Sequence, residues 1–274
     1  MIASIVLAVL SVYVYATNSI AQRIEKADPS VCLSRFVDYP NCFRSTVQKS
    51  VQGALGTPHP ALSTHFWLKD VDFSCASPWC DESGSVRAGT LITKRHIIFA
   101  KHFPLWKGCR VLFVDKEGEV CPCRVKATKA LAKGDIMIGS LDYEVTPNIH
   151  PAKVLPVDYE KYIGDGKGLP IVTFNQREEA LLTECSGIET NYIGNAASTN
   201  VSKKALSKRI RTGDSGNPAF LLVGNEPILV YCLFSGGVGH GSPIHYYRAE
   251  IQRAMDELCP GYALEPFDFS SFEK

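Results

Sequence analysis

Residues 212–219 read Thr212-Gly-Asp-Ser-Gly-Asn-Pro-Ala219. Gly, Asp, Ser, Asn and Pro are what a tight surface turn selects for backbone reasons alone, so the octapeptide admits two readings. One is a polar loop. The other is a turn that exposes the Ser215 hydroxyl: Gly213 and Gly216 free the backbone on either side, and the N–H groups of Gly213 and Ser215 face one anion-binding hollow. The second reading needs a base and an orienting carboxylate from elsewhere in the chain.

Both have candidates upstream. Gly89 to Phe103 reads GTLITKRHIIFAKHF and contains two histidines. His102 follows the apolar run Ile97-Ile98-Phe99-Ala100, which places it at a strand end, held firmly yet facing a cleft. His96 opens the same strand after the Lys94-Arg95 turn and reads as a solvent-facing or capping histidine. Asp135 stands between Gly134 and the apolar Ile136-Met137-Ile138, so a partly buried carboxylate is expected there. Asp115 and Asp142 have poorer surroundings.

The three segments resemble the trypsin-like (chymotrypsin-fold) serine peptidase family and occur in its order of His, Asp, Ser. GTLITKRHIIFAKHF is similar to the family's strand-turn-strand ending in Thr-Ala-Ala-His-Cys. GDIMIGSL, Gly134 to Leu141, resembles its Asp-Ile-Ala-Leu-Leu segment, and TGDSGNPAF resembles Gly-Asp-Ser-Gly-Gly-Pro. The resemblance covers roughly residues 61–258. It implies two antiparallel β-barrels with the site between them, His102 as base, Asp135 as its orienter, Ser215 as nucleophile, and an oxyanion hole on the amides of Gly213 and Ser215. It also implies a polypeptide substrate and no metal or organic cofactor. Phe234-Ser-Gly-Gly237 resembles the edge segment that pairs with substrate backbone. Arg209 falls where an acidic residue would select Lys or Arg, so tryptic specificity is not expected.

The sequence departs from the family's pattern at several points. Phe103 replaces the cysteine that usually follows the histidine, Arg211 stands where a cysteine often precedes the nucleophile loop, and Asn217 replaces the second glycine. No Ile-Val-Gly-Gly sequence marks an activation cleavage, so the ammonium that would pair with Asp214 is not evident, and Arg209 and Arg211 are the nearest substitutes. A fold does not by itself imply catalysis, and these departures motivate the alternative of a catalytically inactive protease-fold binding protein. An α/β-hydrolase is excluded, because Asn217 breaks the Gly-x-Ser-x-Gly elbow and strands do not alternate with helices around it.

The whole chain has 274 residues, 45% of them hydrophobic and 21% charged, an ordinary globular composition. A formal net charge of +1 gives no overall field that would favour nucleic acid. Residues 1–21 read as a signal peptide or N-terminal anchor, because Ile2 to Ala16 is nearly all apolar and Ser19-Ile-Ala21 has small residues at cleavage-site spacing. Ten cysteines behind such a segment point to several disulfides in a secreted or periplasmic protein, or one tethered to a membrane by its N-terminus. Neither Cys75/Cys80 nor Cys121/Cys123 has the two-residue spacing of a zinc knuckle.

Residues 22–60 read as an N-terminal extension or pro-segment. Short β-branched and aromatic runs then follow, including His96 to Ala100, Arg110 to Val114, Asp135 to Leu141, Pro170 to Phe174, Pro218 to Val223 and Pro227 to Phe234. They fall into two groups that suggest paired antiparallel barrels or sandwiches, and the resemblance implies an N-terminal β-barrel over 61–150, carrying His102 and Asp135, and a C-terminal β-barrel over 151–247, carrying Ser215. Residues 248–274 form a helix and tail, with Ile251, Met255 and Leu258 at helical spacing. The fold class is therefore all-β. The basic run Ser202 to Arg211 reads as a solvated loop.

Overall fold

Apolar runs of four to eight residues bounded by turn residues bury themselves most readily as strands. A computed structural model describes residues 2–26, 32–37, 60–78, 87–189, 192–196, 206–237 and 239–272. In the N-terminal half, β1 (Thr90–Thr93), β2 (His96–Ala100), β3 (Arg110–Val114), β4 (Val120–Ala130) and β5 (Ile136–Leu141) form one antiparallel sheet in the order β1-β2-β5-β4-β3. A bridge between Ala76 and Thr90 extends its β1 edge. The C-terminal half contains β6 (Lys153–Val154), β7 (Pro170–Phe174), β8 (Ala180–Ile188), β9 (Ile193–Ala196), β10 (Pro218–Val223), β11 (Glu226–Ser235) and β12 (His240–Pro243). Strands β10-β7-β8-β9-β12-β11 close into a six-stranded barrel because β10 also pairs with β11. β6 adds in parallel to the far edge of β11. The protein is mostly β, with a closed six-stranded C-terminal barrel and a more open five-stranded N-terminal half-barrel.

Burial follows the sequence pattern. β2 and β10 are buried throughout, and apolar except for His96 at the start of β2. β4 alternates, with Cys121, Cys123 and Val125 inside and Pro122, Arg124 and Lys126 outside, as a strand with one wet face requires. Phe73, Phe174 and Phe220 meet edge-on or tilted, with ring centroids 4.9–6.3 Å apart. The trio ties the segment ahead of β1 to β7 and β10, so the two halves share packed aromatic surface.

Eight of the ten cysteines lie among the described residues, and all eight are free thiols. The expected disulfides therefore do not form among them. Cys75, Cys109, Cys121, Cys123, Cys185 and Cys232 are instead buried, where a thiol packs as a small apolar side chain. Cys42 and Cys80, with most of 22–60, lie outside the described residues.

The apolar run near the N-terminus belongs to helix α1 (Ile2–Lys26), which packs on β7, β10 and the one-turn helix α2 (Glu160–Ile163). Val12, Ala16 and Ile20 lie four residues apart on one face and are fully buried. Ser19 Oγ donates to Gly224 O at 3.2 Å. Among the described residues no helix is long and apolar enough to cross a membrane. The helix expected near the C-terminus is α3 (Arg248–Leu258), which buries Ile251, Ala254 and Met255 and packs against β4 and β5.

Residues 32–37 run as a strap across the seam between the halves. Arg35 N donates to Glu178 O at 2.9 Å, while its guanidinium donates to Ala76 O at 3.2 Å and Val114 O at 2.6 Å. The guanidinium also lies 3.9 Å from the buried Glu178 carboxylate. Removing one partner of a buried ion pair leaves the other charge uncompensated, so Arg35→Met is expected to cost about 3–5 kcal/mol, read from urea unfolding. Burial pushes the Glu178 carboxyl from its ordinary 4.5 up to about 7, with Arg35 pulling it the other way. A raised folded-state pKa means the folded protein holds this proton more tightly than the unfolded chain. The resulting stability is complete below about pH 4.5 and is lost as pH rises through about 7. Glu178→Gln should remove that segment of the stability–pH curve, which unfolding of both proteins at several pH values will read.

Candidate active site

β2 pairs with β5 in the register Ala100↔Ile136, so the residues just beyond the ends of these strands, His102 and Asp135, are neighbours. His102 N donates to Asp135 Oδ1 at 2.9 Å, and His102 Nδ1 lies 2.5 Å from Asp135 Oδ2. The two contacts engage both oxygens of the carboxylate. On the other side of the imidazole, Nε2 lies 2.9 Å from Ser215 Oγ. The Asp135 side chain is 23% exposed and that of His102 49%, so the carboxylate is the sheltered end of a row that opens to solvent. Asp135 N in turn donates to the hydroxyl of buried Ser242 on β12, at 3.0 Å. The C-terminal barrel thereby grips the N-terminal member of the site.

The cysteine missing after His102 has a replacement. The Arg87 guanidinium carbon sits 4.3 Å from the Phe103 ring centroid and 5.5 Å from that of Trp106, and Arg87 Nη1 donates to Pro104 O at 2.7 Å. A cation–π stack of this kind stabilises by about 0.5–2 kcal/mol and pins the turn that follows the histidine.

Ser215 follows a four-residue turn in which Asp214 N donates to Arg211 O at 3.1 Å. Gly213, the third residue, has φ +96° and Thr212 does not have positive φ, which makes the turn type II. Gly216 has φ +87°, and a Cβ there would come within 2.8 Å of Ala88 O, so glycine is required on both grounds. Among the described residues the amides of Gly213 and Ser215 have no acceptor. Asn217 uses its side chain: Nδ2 donates to Asp214 O at 3.0 Å, alongside its own backbone N–H at 3.2 Å. The departure from glycine therefore adds a hydrogen bond to the turn.

Asp214 is buried, and its compensation differs from the expectation of an arginine partner. Its carboxylate accepts Arg211 N at 2.7 Å and Gln176 N at 3.0 Å. The side chains of Arg209 and Arg211 are exposed, and among the described residues neither forms an ion pair with Asp214. Burial holds the Asp214 carboxyl above its ordinary range against the pull of the two amides and of the Arg211 charge. His96 also departs from expectation. It is fully buried, with Nδ1 2.8 Å from Thr93 Oγ1 and its ring edge-on to Tyr262, and burial holds it below the usual imidazole range.

The residues implied for substrate binding come together beside the serine. Ile210 and Gly237 form an antiparallel bridge, with Ile210 N donating to Gly237 O at 2.9 Å and Gly237 N to Ile210 O at 3.1 Å. Arg209 thus lies one residue from a bridge to the Phe234-Ser235-Gly236-Gly237 segment. Of the basic run, residues 202–205 lie outside the described residues, and Lys208 pairs with Glu179 at 2.6 Å.

No protein-family model and no curated protein sequence matches the chain. Solved structures do match, among them one described as Kallikrein-related peptidase 10, which is 14% identical over 66% of this chain and 95% of its own, with a TM-score of 0.49. Gln176, Ser242 and Arg87 carry no local signal in the sequence, since each reaches the site from a separate element.

Proposed function

We propose that the protein is a serine endopeptidase. The observation that carries this reading is the continuous row Asp135–His102–Ser215, with contacts of 2.5 and 2.9 Å, beside a type II turn with two available amides. His102 Nε2 takes the Ser215 proton as Oγ attacks the scissile carbonyl carbon, and the carbonyl oxygen becomes an oxyanion facing the N–H groups of Gly213 and Ser215. The imidazolium, stabilised by Asp135, then donates its Nε2 proton to the leaving amine as the C–N bond breaks. Water, deprotonated by the same nitrogen, attacks the acyl-serine ester, and Ser215 recovers its proton. The residues required are all on this chain.

A fluorophosphonate probe tests the reading, since it phosphonylates only an activated serine. Purified protein should label, and Ser215→Ala and His102→Ala should not. Well-folded wild-type protein that resists labelling would instead support the binding-protein alternative.

The Ile210–Gly237 bridge bears on substrate choice. Two backbone segments joined by hydrogen bonds leave no slot between them for a side chain, and a Cβ on Gly236 would lie 3.3 Å from Ile210 O. The residue preceding the scissile bond is therefore expected to be Gly or Ala. Cleavage of a randomised peptide library checks this, and selection of Lys, Arg or Phe there would contradict it.

A further inference from the structure

Resting on the peptidase reading, we propose that Gln176 is a positioning residue that latches the oxyanion turn in its competent orientation. Gln176 lies in the turn between β7 and β8, and both its backbone and its side chain reach the nucleophile loop. The backbone N–H donates to Asp214 Oδ1 at 3.0 Å, and side-chain Nε2 donates to Thr212 O at 3.0 Å. The second bond is the informative one. A trans peptide is planar, with its C=O and N–H pointing in opposite directions, so fixing Thr212 O on the Gln176 side fixes Gly213 N–H on the other. Type I and type II turns differ by a flip of this central peptide. A flip to type I would swing Gly213 N–H away from Ser215 and would require Thr212 O to abandon Gln176.

The latch is itself held in place. Asn175 Oδ1 accepts the amides of Arg177 at 2.9 Å and Glu179 at 3.1 Å, which closes the turn locally. Glu178, two residues beyond Gln176, is anchored by Arg35 N from the strap. Gln176 also packs directly on Gly213, where an added Cβ would collide with Nε2, so the latch leaves room for no side chain at position 213. With Asp214 capped by two amides and Thr212 by an amide side chain, the turn reaches its competent form without any cut in the chain.

The test uses full-length wild-type, Gln176→Ala and Gln176→Glu proteins, all of which keep the backbone bond to Asp214. Removal of an oxyanion donor costs about 100- to 1,000-fold, and loosening one is expected to cost about 10- to 100-fold in kcat, with KM unchanged, for Gln176→Ala. Glutamate in its carboxylate form repels Thr212 O but donates to it when protonated. The ratio of Gln176→Glu to wild-type kcat should therefore rise as pH falls toward 4, which a merely structural role would not produce. The third readout is the Gly213 amide resonance, sharp and single in wild type and broadened or doubled in Gln176→Ala. Unchanged kcat, a pH-independent ratio, or an unaltered Gly213 resonance would each overturn the latch. Failure of wild type to react with fluorophosphonate would sink the peptidase reading separately, and the Gly213 resonance would still decide whether Gln176 holds the turn.

Discussion

Ser215→Ala is expected to lower kcat about a millionfold while leaving the fold intact, the size of loss seen when the nucleophile of another triad enzyme is removed. The two halves of that expectation have different physical origins. The loss of rate follows because the hydroxyl oxygen is the only protein atom that bonds covalently to the substrate in the mechanism, and a millionfold corresponds to about 8 kcal/mol of transition-state stabilisation. The preserved fold follows because the loop does not depend on the hydroxyl. Its shape is set by the Asp214 carboxylate on two amides, by the Asn217 side chain on Asp214 O, and by Gly216 N on Leu233 O at 2.8 Å. Overlaid urea curves with a millionfold difference in turnover are the expected pair of measurements. A loss below about a hundredfold would mean that another group attacks the substrate.

Asp135→Asn is expected to cost about ten-thousandfold in kcat, as in the corresponding variant of another triad enzyme. Asparagine has the same shape and its Oδ1 can still accept His102 N–H, so the ring stays in place. The remaining –NH2 then faces His102 Nδ1 and can only donate to it. This forces the tautomer with hydrogen on Nε2, which points a proton at Ser215 Oγ where an acceptor is needed. Binding of a substrate analogue should be unaffected, and the double variant with Ser215→Ala should be no slower than Ser215→Ala alone, because the members of a triad act as a unit. A loss of less than tenfold would show that a different carboxylate orients His102.

Strands were most legible where hydrophobic residues ran without interruption. His96 to Ala100, Arg110 to Val114, Pro170 to Phe174 and Pro218 to Val223 are strands as read, and α3 has the limits its helical spacing predicts. β12, with the sequence His-Gly-Ser-Pro, has no such signal. It is a strand because β11 and β9 offer it backbone partners on both sides. β4 was masked by Pro122 and by lysines, although its buried and exposed residues alternate clearly once the sheet is formed. Cysteine number misled in the other direction: composition counts thiols but does not set their distances, and the eight described ones are all free, six of them buried. The burial of His96 was likewise invisible, because Tyr262 reaches it from far along the chain.

The sequence by itself determined the residue types of the candidate site and their order, His102, Asp135 and Ser215. It also determined the glycines that let the loop turn, since positive φ at Gly213 and Gly216 is a local property of the backbone. Tertiary structure alone decided which groups hold those residues in place. Arg87 on Phe103, Ser242 on Asp135, and Gln176 on Asp214 and Thr212 all act across strands distant in the chain. The physical reason is that a hydrogen bond or a ring stack is fixed by a separation of a few ångströms in space, and spacing along a chain does not specify that separation until the sheets have closed.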